Sequence, residues 1–248
     1  MKLLAKGKLI KTVLYDEPFS KLNLILANSH VKVVRGNRFE VVFTGPEDEI
    51  PRVNLDEDVL RISQTFNRRI RHEYNPGYLV RVVLPAEIDE LSIFAFRGNI
   101  ELNRVKIGQV NIDTNEGNLT LAGDKFDVLN LNSRYGDLSA RQMQTQEFRL
   151  MLTYGDAYFD LCQLGNSKCQ ITNGDFELAN SKLTGRVFVS SLEGDIISRL
   201  TSVSGYHLQS DDGDVVIKGE DEGYTYIVKP DQATALYAKT ADGSIFVE

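Results

Sequence analysis

RYGDL (Arg134–Leu138), TYGDA (Thr153–Ala157) and TNGDF (Thr172–Phe176) carry the same glycine-acid step at a spacing of 19 residues. The step extends in both directions. Gly98, Gly117, Gly136, Gly155, Gly174, Gly194 and Gly213 follow one another at intervals of 19, 19, 19, 19, 20 and 19, and Gly243 comes 30 later. The next residue is Asn99, Asn118, Asp137, Asp156, Asp175, Asp195, Asp214 or Ser244. Apolar residues keep the same register. Five before the glycine stand Ile93, Ile112, Leu131, Leu150, Cys169, Val189, Leu208 and Ala238. Two after it stand Ile100, Leu119, Leu138, Ala157, Phe176, Ile196, Val215 and Ile245. Columns seven before and four after are of the same kind, for example Leu91, Val110, Leu129 and Phe148, and Leu102, Leu121, Ala140 and Phe159. Nine after the glycine runs another, from Ile107 and Phe126 to Leu183 and Val203.

Within a unit the apolar residues alternate, which is the period of a strand with one buried face. One unit cannot close a core, but stacked units can, each strand pairing with its equivalent at about 4.8 Å. The expected fold is therefore all-β: a single-chain parallel β-solenoid (β-helix) with coils of about 19 residues. The glycine supplies a corner with positive φ, and the acid or amide beside it bonds a nearby backbone N–H. A leucine-rich repeat has a similar period but requires a helical segment in each unit.

The first third is less regular. Leu22, Leu24 and Leu26 alternate, then Val31 and Val33, then Phe39, Val41 and Phe43. VNLDEDVLRIS (Val53–Ser63) reads as a hairpin about Asp56-Glu57-Asp58, and VRVVLP (Val80–Pro85) as a strand. Residues 1–85 are expected as an irregular β N-terminal cap continuous with the solenoid, and residues 86–248 as the regular repeats, with a capping excursion at 218–237. The last residues, SIFVE (Ser244–Glu248), read as an exposed terminal strand, and self-association as a homo-oligomer is expected through that end or a flat flank.

Composition narrows the function. A net charge of −7 argues against nucleic acid as a partner, because phosphate binding needs a clustered basic face. Neither an apolar run of the length of a secretory signal nor one that could span a membrane occurs, so direct membrane insertion is not expected. The chain as written reads as cytoplasmic, with envelope association only through a partner. Cys162 and Cys169 lack the spacing of a zinc or redox pair and read as buried thiols.

Val80-Arg81-Val82-Val83-Leu84-Pro85, Leu91-Ser92-Ile93, Gly98-Asn99-Ile100-Glu101-Leu102 and their echoes through Gly213-Asp214-Val215-Val216-Ile217 resemble the putative-adhesin β-strand-repeat family, a bacterial domain of unknown function. The resemblance covers roughly residues 20–248. It implies the repeat architecture and a link to the cell envelope or a stress response. It brings no reaction and no catalytic residues.

The residues themselves supply no nucleophile elbow, nucleotide loop or metal-binding histidine pair, and the three histidines are His30, His72 and His207. No catalytic residue, cofactor or metal is expected. Calcium needs six to eight oxygens. Glu193, Asp211 and Asp212 lie near the acid column, but solvated corners account for these acids more simply. A basic stretch, Arg68, Arg69, Arg71 and His72, reads as a solvated loop. The candidate ligand surface is Tyr135 and Tyr154, expected to stack on each other, with Asp137, Asp156 and Asp175. The function expected is a non-catalytic scaffold or binding module for an unknown protein or glycan partner. The alternative is a polysaccharide-binding or polysaccharide-cleaving protein that uses a solenoid flank.

Overall fold

The computed structural model describes residues 8–64 and 78–248. The basic stretch at 68–72 lies outside the described residues. Each repeat folds as the alternation demands, into one long and one short strand. Ile88–Arg97 is followed by Ile100–Asn103, Lys106–Glu116 by Leu119–Ala122, and Lys125–Tyr135 by Leu138–Arg141. Gln144–Tyr154 is followed by Ala157–Asp160, Gln163–Asn173 by Phe176–Ala179, and Val187–Glu193 by Ile196–Arg199. The one helical element among the described residues is a 3₁₀ turn, Glu47–Glu49, so the leucine-rich repeat is excluded. Long strands pair in parallel with long strands and short with short, giving two sheets that enclose the core. The fold is a parallel β-solenoid.

The predicted inward columns are buried with few exceptions, Tyr206 and Ile217 being half-buried. The largest side chains interlock within and between coils: Phe159 lies 5.6 Å from Phe148 of its own coil and 5.3 Å from Phe176 of the next, centroid to centroid. Such ring pairs add to the roughly 1.5–3 kcal/mol that burying one such side chain contributes. Cys162 and Cys169 are free and buried. Burial pushes the Cys162 thiol up to about 11 and raises that of Cys169 further, so neither is a thiolate at neutral pH.

The glycine corner is decided by backbone contact as well as by φ. Gly136 has φ +130°, and a Cβ there would lie 2.4 Å from the Gly117 carbonyl oxygen. Each glycine from Gly117 to Gly243 meets the glycine of the neighbouring coil in the stack in this way, at 2.1–2.4 Å, so that Gly243 meets Gly194 and Gly213 meets Gly243. A second corner closes each coil after the short strand. Arg104, Gln142, Leu161, Asn180, Leu200 and Lys218 occupy it with φ between 47° and 55°, and Gly123 takes the equivalent place. A left-handed residue is easiest for glycine, yet side chains other than glycine are held here, which shows how strongly the stacked coils constrain that turn.

Both ends of the stack depart from chain order. Lys21–Leu26 pairs in parallel with Ile88–Arg97, and His30–Arg35 with Ile100–Asn103, so residues 21–35 form a coil directly below the first repeat. Val59–Ser63 and Leu79–Leu84, later in the chain, stack on the outer side of that coil. Beyond them Glu40–Pro46, Leu9–Tyr15 and Arg52–Asp56 add antiparallel strands. The hairpin read at Val53–Ser63 is present, with Glu57 at φ 54° in its turn.

At the other end the chain repeats the device. Ala235–Asp242 and Ile245–Val247 enter between the coil of Val187–Arg199 and that of Gly205–Ile217. This corrects the expectation for SIFVE. Ile245–Val247 is paired on both sides, with Ile196–Ser198 and with Val215–Ile217, and offers no open edge. The outermost coil is Gly205–Ile217. Its two strands are covered by antiparallel strands from the excursion, Thr225–Val228 and Glu220–Asp221. The strands that the chain leaves at this end are short, and two of their residues are acidic, which discourages pairing with another molecule.

Gly136→Ala is expected to lower stability by about 3 kcal/mol or more, because the methyl group meets backbone and φ is unfavourable at once. Gln142→Gly, at the other corner, is expected to be neutral or stabilising by up to about 1 kcal/mol. Denaturant melts of the two variants check the pair, and equal losses in both would contradict this account of the corners.

Candidate functional site

The acids beside the glycines form a hydrogen-bond ladder. The Asn118 backbone N–H donates to Asn99 Oδ1, that of Asp137 to Asn118 Oδ1 and that of Asp156 to Asp137 Oδ1, each at 3.0 Å. Asp175 N–H donates to Asp156 Oδ1 at 2.9 Å and Asp195 N–H to Asp175 Oδ1 at 2.8 Å. The ladder follows the stack and not the chain: Ser244 N–H donates to Asp195 Oδ1 at 2.8 Å, and Asp214 N–H to Ser244 Oγ at 3.2 Å. Asp137, Asp156 and Asp175 thus spend one carboxylate oxygen each on the next coil and leave Oδ2 toward solvent. Their environments repeat from coil to coil.

His30 starts the ladder. It takes the place an asparagine or aspartate takes above it, and its Nδ1 accepts the Asn99 backbone N–H at 3.0 Å. That bond requires an unprotonated Nδ1, and burial holds the imidazole below its ordinary 6.5. The second corner has its own polar residues. Asp124 is buried and accepts the backbone N–H groups of Val105 at 2.9 Å and Ala122 at 2.7 Å. Burial pushes its carboxyl up to about 6 in spite of those bonds. Three coils on in the same column, Ser181 Oγ accepts Cys162 N–H at 3.0 Å and donates to the Ala179 carbonyl.

Tyr135 and Tyr154 stack as expected, with centroids 5.1 Å apart and planes 6° from parallel. They are 40% and 46% exposed, and the Arg134 guanidinium lies 5.1 Å from the Tyr135 centroid. The inner faces of the two rings are occupied by each other, leaving the edges and the outer face of Tyr154 to a ligand. Two more stacked columns lie elsewhere on the long-strand sheet. Phe188 and Tyr237 lie 4.4 Å apart with planes at 17°, next to Lys168, His207 and Lys239 around a depression of about 280 Å³. Asn130 Nδ2 donates to Asn111 Oδ1 at 2.9 Å beside Phe94 and Met151, in a depression of about 430 Å³.

A groove of about 570 Å³ lies on the same sheet at the opposite end of the long strands from the tyrosines. It lies at a break in the ladder, and a second break, at Asn115 and Arg134, lies at the other end of the strands. Pairing runs through Ile107 and Phe126, then resumes at Gln109 and Val128, and it skips Thr145 to Glu147 and Leu164 to Asn166 in the same way. Gly108, Asp127, Gln146 and Gly165 are the skipped residues. Inward residues are consequently three apart at this point, as at Ile107 and Val110, instead of two. Lys106, Lys125, Gln144 and Gln163 line one side of the groove, and Asp127, Gln146 and Asn166 the other. The sequence carried this signal, since the apolar columns seven before one glycine and nine after the preceding one fall out of alternation.

Among the described residues no group of three or more histidine, cysteine or acidic side chains is placed to hold a metal ion. No helix of the described residues is long and apolar enough to cross a membrane.

A stacked parallel solenoid with a ladder-bonded corner and shallow polar flanks defines a β-strand-repeat protein. The chain belongs to the Toastrack DUF4097 family, whose model matches residues 64–248. Solved structures share the fold across nearly the whole chain. A putative adhesin from Bacteroides fragilis matches at 13% identity and a TM-score of 0.61, covering 97% of both chains. A putative lipid binding protein from Parabacteroides distasonis matches at 12% identity and 0.53, covering 98% of this chain and 97% of the other. A putative adhesin from Parabacteroides merdae matches at 13% identity and 0.50, covering 98% of both. No curated protein matches the sequence.

The His30 bond carries a pH signature. As pH falls through about 6.5 the unfolded chain takes up the proton first. The stabilisation from His30 is therefore complete above that value and is lost as pH falls through the lower folded-state pKa. Wild type is expected to lose more stability than His30→Asn between pH 7.5 and 5, because an amide oxygen accepts at any pH. Parallel melting curves for the two proteins would contradict the assignment.

Proposed function

We propose that the protein is a non-catalytic binding module that holds a protein or glycan partner on a flank of its solenoid and associates with the bacterial envelope through that partner. The observation that carries this reading is repetition. Exposed positions recur from coil to coil at the strand spacing, and at the corner the same acid recurs with them, so the surface offers evenly spaced contacts. Cleavage of a glycosidic bond needs two carboxyl groups in unlike environments across a cleft. Asp137, Asp156 and Asp175 are alike in setting, each with Oδ1 held by a backbone N–H. The names given to the structural neighbours, adhesin and lipid binding, suit a protein that holds and does not transform its ligand.

The tyrosine corner serves the fold first in this reading. The ring stack and the ladder occupy the groups that a ligand would use, and the outer face of Tyr154 is the remaining contact. Self-association would be sought at Leu9–Tyr15, an edge strand of the short-strand sheet that pairs on one side among the described residues.

Fractionation of the native host tests the reading, with photo-crosslinking from residues on the long-strand sheet. The protein is expected in the envelope fraction, released by a wash that breaks non-covalent contacts, and crosslinked to one defined partner. Free protein with no crosslinked partner, or turnover of a polysaccharide that is lost in Asp→Asn variants, would overturn it.

A further inference from the structure

We propose that the groove along the ladder break is a binding site for a neutral polysaccharide lying parallel to the solenoid axis. The proposal rests on the binding-module reading and specifies its ligand.

The register sets the argument. Lys106 pairs with Lys125, Lys125 with Gln144, Gln144 with Gln163 and Gln163 with Lys182, so five side chains form one row across five strands. At the spacing of neighbouring strands the row is about 19 Å long. A ligand that follows it meets a hydrogen-bond donor, ammonium or amide, about every 4.8 Å. A polymer of identical units is the kind of molecule that a repeated contact recognises.

The chemistry of the lining narrows the class. Four carboxamides line the groove: Gln144, Gln146, Gln163 and Asn166. An amide donates and accepts at once, as a pair of sugar hydroxyls does. Among the described residues the side chains of Lys125, Gln144 and Gln163 have no hydrogen bond or ion pair. Charges nearly cancel. Lys106 is paired with Glu87 at 2.5 Å, and Asp127 accepts a hydrogen bond from Gln146 Nε2 at 2.8 Å and faces the same groove as Lys125. Lys182, at the end of the row, leaves one positive charge over, too little to hold a strongly anionic chain. A peptide is less suited, because peptide grooves use an open sheet edge or apolar anchor pockets. This groove lies within a continuous sheet, and its apolar residues Ile107 and Phe126 are buried beneath the polar rim. Gly165 keeps the floor low, and a Cβ there would lie 2.0 Å from the Gln146 carbonyl oxygen.

Affinity electrophoresis of the full chain through native gels tests the site, with dextran, xylan, laminarin or polygalacturonate set into the gel. Retardation by at least one of the three neutral polysaccharides is expected. Gln144→Ala with Gln163→Ala, both side chains being solvent-facing, is expected to weaken it about tenfold or more with melting unchanged. Tyr135→Ala with Tyr154→Ala is expected to leave it in place. Retardation by polygalacturonate alone, by none of the four, or equally in the glutamine variant would each overturn the proposal. If no polysaccharide binds while a protein crosslinks to the long-strand sheet in the host, the binding-module reading stands and the glycan is excluded.

Discussion

The close approach of one backbone to the next at the glycine corner is the constraint on which the rest of the structure depends. Coils stack at the spacing of paired strands, and at the corner no side chain fits between Gly136 and the Gly117 carbonyl. That contact fixes the register of every coil to its neighbour. With register fixed, each inward position meets its own kind above and below, and the columns become a continuous core. The ladder of acids and amides uses the same geometry. It turns the exposed corner into a line of hydrogen bonds that ends on His30.

Parallel stacking also explains the ends. In a parallel coil the pairing groups of a strand are the same whichever coil lies above it, so coils can be exchanged in order without altering local geometry. The chain does this twice, placing residues 21–35 and residues 235–247 inside the stack. The coils left outermost carry hairpin strands that pair antiparallel and blunt the sheet. Both chain ends of the regular stack are thereby locked between neighbours, an arrangement that loses more contacts on local opening than a frayed terminal coil does.

Much of this was legible in the sequence. The period gave the coil length, alternation gave the strands, and the glycine column gave the corner with its positive φ and the acid that bonds backbone. The Tyr135–Tyr154 stack followed from a one-coil spacing. What was not legible shares a physical cause: it depends on which coil neighbours which, or on a position without a distinctive residue. The pairing of Ile245–Val247 on both sides could not be read because a 30-residue spacing from Gly213 to Gly243 is the same whichever coil lies outside. The second corner hid because residues as unlike as Leu161 and Lys218 adopt φ near 50° there. His30 hid because it replaces an amide and follows Ser29 instead of glycine. The groove was legible only as a lapse in alternation, and the interrupted pairing at Gly108 and Gly165 was needed to locate it.

Native-state hydrogen exchange of the corner amides tests the central constraint most directly. Asn118, Asp137, Asp156, Asp175 and Asp195 sit at the solvent-facing corner, yet each backbone N–H is bonded to the coil below. The account predicts that these amides exchange only through global unfolding, at the rate of amides in the buried long strands. Exchange as fast as that of the excursion residues Glu222 and Tyr224 would contradict it, and would show that the corner follows the stack instead of setting it.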